Sequence, residues 1–309
     1  MAPAGPDRHA RTQTAIAGFA AHWRDATPLG ALARALDALD RPSAAAVAAL
    51  VRPLIEDASW ITGVVAALIA EVTRDPLFDP PLRPVRSDVQ AGLTLYAGRH
   101  VAIVLGVGAL DRLAAKKRRG GGGAIGFSGC AALVRALDGG DATVSLWRGG
   151  WRDGAPMERC VPAGRRRLGN GDLLLLDRNT SYLVEHAQRD IVLLHATILA
   201  DVAPTACEYD RGTSMLRATS AASDRASRTE MLAALLGAIG RYDTAAFDAA
   251  TRAPEAHVRW HAMRIWLAGD GDAAVARIAE IAARDPDAAL RALATETLAL
   301  IGGPLACHA

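Results

Sequence analysis

Gly171-Asp172-Leu173-Leu174-Leu175-Leu176-Asp177 is the stretch from which the fold is read. Leu173 to Leu176 reads as one short strand. Outward from it, short strands recur. They are expected at 92–97 and 100–107 with a tight turn between, then at 124–127, 131–136, 143–147, 165–168, 173–176, 182–186 and 191–199. Asp138-Gly139-Gly140-Asp141 is the turn signal between two of them. A further hairpin is expected at 207–219, turning at Gly212. Many short strands at close spacing predict a sandwich or barrel.

Upstream the spacing is helical. Thr27 and Pro28 read as N-cap and first helical position, followed by Leu29, Leu32, Leu36 and Leu39. Ser43 caps a second helix, and a third starts near Ser59 with Ile61, Val64, Val65, Leu68 and Ile69, ending around Asp75-Pro76. Four prolines in residues 75–84 exclude a helix interior or a central strand. This stretch is a linker or an arm lying on the next domain. Lys116-Lys117-Arg118-Arg119 and four glycines, 120–123, form a basic loop that resists ordering.

Downstream, all-helical sequence begins at Ser227, which with Glu230 makes a capping-box signature. Ala253-Pro254-Glu255-Ala256-His257-Val258-Arg259 then aligns with Asp285-Pro286-Asp287-Ala288-Ala289-Leu290-Arg291 at a constant offset, and Ala262 matches Ala294. A fixed period of this size marks stacked helical repeats. Val258, Ala262, Ile265 and Trp266 share one helix face, and Trp260, Met263 and Leu267 the opposite one. A helix apolar on two sides is sandwiched between others. The expected division is a disordered tail at 1–12, an N-terminal helical segment with Pro-rich linker at 13–84, a β-domain at 85–222 and a helical domain at 223–309.

Half of the 309 residues are hydrophobic, enough for several cores. The net charge of +2 gives no whole-chain electrostatic case for nucleic acid. Abundant alanine, arginine and glycine with little lysine read as the codon usage of a GC-rich bacterial genome. No secretory signal opens the chain, and the apolar stretch 61–70 is about half of the ~20 residues a membrane span needs. A cytoplasmic protein is expected. Cys130, Cys160, Cys207 and Cys307 lack C-x-x-C or zinc spacing and read as free thiols.

Two family resemblances follow. Gly171 to Asp177 resembles the second conserved motif of the cupins, in which a Gly-Asp turn precedes a buried strand, a proline and a metal-binding histidine. Here Asp177 stands at the proline position and Tyr182 at the histidine position. The first cupin motif needs H-x-H and a glutamate, yet residues 143–165 contain no histidine. The resemblance thus implies a cupin-like jelly roll and removes its usual metal site. The pattern D-P-x-x-x-V/L-R-x-x-A resembles HEAT repeats over residues 254–303. Together these imply an α+β multidomain chain: N-terminal helices, a central cupin-like jelly roll and C-terminal HEAT-like helices. Cupin-like barrels also pair edge to edge, which leaves a homodimer open.

Catalytic constellations are weak. No G-x-S-x-G elbow, P-loop or dinucleotide fingerprint is present. His257 and His261 are spaced to share a metal, but HVRWH lacks the glutamate of H-E-x-x-H. The expected function is non-catalytic: a small ligand or peptide in the barrel, near Trp147, Arg148, Arg178, Tyr182 and His186, and a protein partner on the helical repeats. The alternative is an iron-dependent oxygenase or peptide-tailoring enzyme using His100, His186 and His195. A third reading is a pure scaffold with a filled barrel. The basic clusters 116–119 and 165–167 could hold phosphate, nucleic acid or an acidic peptide.

Overall fold

Helix-forming residues begin earlier than the apolar pattern suggests. The computed structural model describes residues 6–87, 89–112, 115, 123–153 and 155–302. They form two compact units, Met1–Thr219 and Ser220–Ala309. Helix α1 (Pro6–Ala26) starts inside the span expected to be disordered. Proline suits a first helical turn, alanine and arginine propagate it, and Phe19 and Trp23 anchor it in the core. Residues 1–5 lie outside the described residues.

The next two helices start where their caps require. The Thr27 hydroxyl accepts from the Leu29 N–H to open α2 (Pro28–Asp37), and the Ser43 hydroxyl accepts from the Ala46 N–H to open α3 (Ala44–Glu56). Helix α4 (Trp60–Arg74) ends at Asp75. The proline-rich stretch then lies on the core: Phe78 and Leu82 are buried, and Phe78 meets Phe19 edge-on at 5.7 Å. Its end forms a short strand, β1 (Arg83–Arg86), where linker was expected. Among the described residues no single helix is long and apolar enough to cross a membrane.

The remaining strands are β2 (Gln90–Ala97), β3 (Val101–Gly108), β4 (Ala124–Phe127), β5 (Ala131–Asp138), β6 (Ala142–Arg148), β7 (Trp151–Arg152), β8 (Ala155–Pro156), β9 (Val161–Leu168), β10 (Leu173–Leu176), β11 (Thr180–His186), β12 (Ile191–Ile198), β13 (Thr205–Asp210) and β14 (Leu216–Ala221). One sheet runs β1-β2-β3-β12-β5-β10, a second β11-β6-β9, and a third β14-β13-β4. Strand β4 also runs beside β11, where the Ser181 hydroxyl donates to the Gly126 carbonyl. The two faces of the sandwich are therefore β3-β12-β5-β10 and β4-β11-β6-β9. That is the order of a jelly roll made of two Greek keys. Cys130, Cys160 and Cys207 are buried free thiols within this unit, and burial pushes each of them up.

The larger sheet is apolar on both faces. Val101, Ile103, Leu133, Leu194, Ala196 and Ile198 pack outward against Leu36, Val47, Val51, Ile55 and Val64 of the helices. Each such side chain contributes about 1.5–3 kcal/mol by leaving water. The N-terminal helices thus share one core with the β-domain; the segment at 13–84 is not separate from it. The inward face of the larger sheet meets the other sheet in a second core, Val134, Leu174 and Ile191 packing with Val144 and Leu168 of β6 and β9.

The C-terminal unit is helical: α5 (Asp224–Ala238), α6 (Thr244–Ala250), α7 (Ala256–Gly269), α8 (Gly271–Arg284) and α9 (Ala288–Gly302). The cap of α5 is Ser223, whose hydroxyl accepts from the Ala226 N–H; Ser227 lies inside the helix. Helix α7 packs against α5 on one side and α8 on another, burying Val258, Ala262, Met263 and Trp266.

The aligned stretches carry a repeated contact. The Arg259 guanidinium donates to the Ala253 carbonyl at 2.9 Å, and Arg291 donates to the Asp285 carbonyl at 2.6 Å, each six residues back. Arg259 also grips both Asp285 carboxylate oxygens, at 2.8 and 2.6 Å, in a buried pair. Burial pushes the Asp285 carboxyl up, but the bonds from Arg259 and the Asp287 N–H prevail and hold it below its ordinary value.

Candidate functional site

Alternation along β12 decides what faces the barrel. Leu194, Ala196 and Ile198 belong to the outer core, while Ile191 and Leu193 belong to the inner one. His195 and Thr197 therefore face inward with Leu193. His195 stands opposite Val104 on β3 and Val134 on β5. From the other sheet, Tyr182 and Val184 of β11 face in, with Tyr182 opposite Leu146.

Tyr182 and His195 are the polar groups of interest on this apolar wall. Both are partly accessible, and neither side chain has a hydrogen-bond partner among the described residues. Burial pushes the His195 imidazole down to about 4 and the Tyr182 phenol up to about 12. Both are neutral near pH 7. The imidazole then offers one donor and one acceptor, and the phenol does the same. The wall suits an uncharged molecule with hydrogen-bonding groups, because a charge placed there loses its hydration.

The five residues expected to line one ligand site do not come together. Trp147 lies on the outer face of β6, packed against the cluster of Ile125, Phe127, Cys160 and Tyr209. Its indole N–H donates to the Ser145 hydroxyl at 3.0 Å, and Ser145 donates to Glu185 at 2.6 Å. Arg211 closes on the same carboxylate. Tyr182 faces the opposite side of that sheet. Arg148 and Arg178 are exposed near the start of β11, while His186 is exposed at its far end, opposite Thr143 across a bulge. Adjacent strand positions point to opposite faces, which is why Trp147 and Tyr182 part company. His195 was expected only as a metal ligand. The Leu193-His195-Thr197 alternation carried the signal for its inward position.

The iron site expected from His100, His186 and His195 does not fit the chain. His100 precedes β3 at one end of the larger sheet and His186 closes β11 on the other sheet, with His195 between. Among the described residues no group of three His, Cys, Asp or Glu side chains is placed to hold a metal ion. His257 lies 3.8 Å from Glu230, and the Nε2 atoms of His257 and His261 are buried without hydrogen bonds. The basic stretch at 116–119 lies outside the described residues. Arg165, Arg166 and Arg167 are exposed on β9.

No family model and no curated protein matches the sequence. Solved structures are similar over little more than a third of the chain. Ectoine synthase from P. lautus is 9% identical over 38% of this chain and 69% of its own, with a TM-score of 0.24. Hydroxypropylphosphonic acid epoxidase from S. wedmorenis is 10% identical over 38% and 55%, at 0.26. KdgF from Halomonas sp. is 12% identical over 38% and 85%, at 0.24. This chain thus spans about half of the epoxidase's length. At these TM-scores the likenesses say nothing of what the chain does.

Proposed function

We propose that this protein is a non-catalytic binding protein whose cupin-like jelly roll takes up a small uncharged molecule against Tyr182 and His195. The observation that carries this reading is the pair of neutral, unpartnered polar groups on an apolar inner wall. Small-ligand sites commonly take this form: apolar lining with a few convergent polar groups. The helical unit acts as a HEAT-like element that binds a protein partner. The contact repeated at Arg259 and Arg291 supports the repeat, and stacked helical repeats offer extended binding faces.

The test is ligand-detected NMR of the full chain against a fragment set containing neutral, anionic and cationic members. Neutral fragments bearing a carbonyl or hydroxyl should bind and should be lost on Tyr182→Phe combined with His195→Leu. Preference for anionic fragments would sink the proposal. So would stoichiometric iron in the purified protein that disappears on replacing His195 or His186.

A further inference from the structure

The arginines at 165–167 have no part in the barrel site. They lie on β9, which among the described residues pairs only with β6. Its other edge makes no backbone hydrogen bonds among the described residues, and every residue from Val161 to Arg167 is exposed. Alternate N–H and C=O groups along that edge are open to an incoming chain.

The first half of the strand is a poor template. Pro162 has no N–H, Gly164 has φ of +124°, and the register with β6 shifts between Leu146 and Trp147. The second half, Arg165 to Leu168, pairs regularly with β6. There Arg165 and Arg167 stand on the face of Ser145 and Thr143, and Arg166 on the face of Val144. A strand laid along this edge would meet guanidinium groups on both of its faces.

We propose that the edge of β9 at Arg165–Leu168 docks an acidic, extended peptide of another protein, added as a further strand. Backbone pairing supplies the register, and carboxylates at successive peptide positions answer arginines on alternate faces. Arg165 makes no salt bridge within hydrogen-bonding reach among the described residues, and its charge, after that of Arg211, helps hold the Glu185 carboxyl low. Arg166 bonds Asp172 at 3.0 Å and Arg167 bonds Asp141 at 3.1 Å, both in exposed pairs that hold weakly. A second copy of this chain does not suit the edge, because pairing β9 with itself would set arginines against arginines. Single-stranded nucleic acid suits it less than a peptide, since the strand has no aromatic residue for stacking.

Fluorescence anisotropy of the full-length protein at low salt tests this with a labelled short peptide of consecutive glutamates flanked by valine and threonine, which sets carboxylates on both faces of the added strand. The peptide should bind, and lysine in place of glutamate should abolish binding. N-methylation of alternate backbone amides should also abolish it, which separates strand pairing from charge attraction alone. Arg165→Ser should weaken binding roughly tenfold, the loss of one charge-assisted contact. Equal binding of the N-methylated peptide, or stronger binding of oligothymidylate than of the peptide, would overturn the proposal. The peptide controls are read on the unaltered protein, so the result does not depend on a variant folding.

Discussion

His195 is a histidine that stays neutral where most begin to charge. Burial sets its pKa near 4, against an ordinary value of 6.5. Between those values the unfolded chain binds a proton that the folded chain refuses. Its contribution to stability is therefore complete above about pH 6.5 and is lost as pH falls through the window to 4, about 3 kcal/mol in all. Urea unfolding followed across that range should show the decline, and His195→Leu should flatten it. Tyr182 mirrors this at alkaline pH: stability should fall as pH rises from 10 toward 12, because the unfolded phenol ionises first. Asp285 is a different residue-scale case. Asp285→Ala strands the Arg259 charge in a buried site and should cost about 3–5 kcal/mol in the helical unit, measured by denaturant titration.

Elements were legible wherever local chemistry decides them. The Leu173–Leu176 strand lies where four leucines bounded by polar turns require it, and Thr27 and Ser43 cap as their hydroxyls predict. Asp138-Gly139-Gly140-Asp141 does join β5 to β6. What stayed hidden was long-range. No local pattern announces that β12 inserts between β3 and β5, or that the outward side chains of this sheet share a core with the N-terminal helices. The same limit scattered the expected ligand site, because Trp147 and Tyr182 look like neighbours until pairing assigns their faces. Gly139 shows how tightly that pairing closes. A Cβ there would lie 2.1 Å from the Leu168 carbonyl oxygen, backbone that cannot yield cheaply. Gly139→Ala should lower stability by roughly 1–3 kcal/mol in the same titration, a cost of overpacking.

At the scale of the molecule the chain is two compact units, one of helices and a jelly roll, the other with a wholly helical core. Unfolding should therefore occur in two transitions. Asp285→Ala should displace one, and acidification through the His195 window should displace the other. Coincident shifts under both treatments would mean that the units unfold as one. The three enclosed thiols of the first unit have a practical consequence. Each is sealed and held as the unreactive protonated form, so an alkylating reagent reaches it only during a brief opening. With Cys307 replaced by serine, the labelling rates of Cys130, Cys160 and Cys207 become three clocks set in different parts of one fold. If they tick together, the jelly roll breathes as a whole; if Cys207 runs fast, the strand pair at β4 and β13 opens by itself.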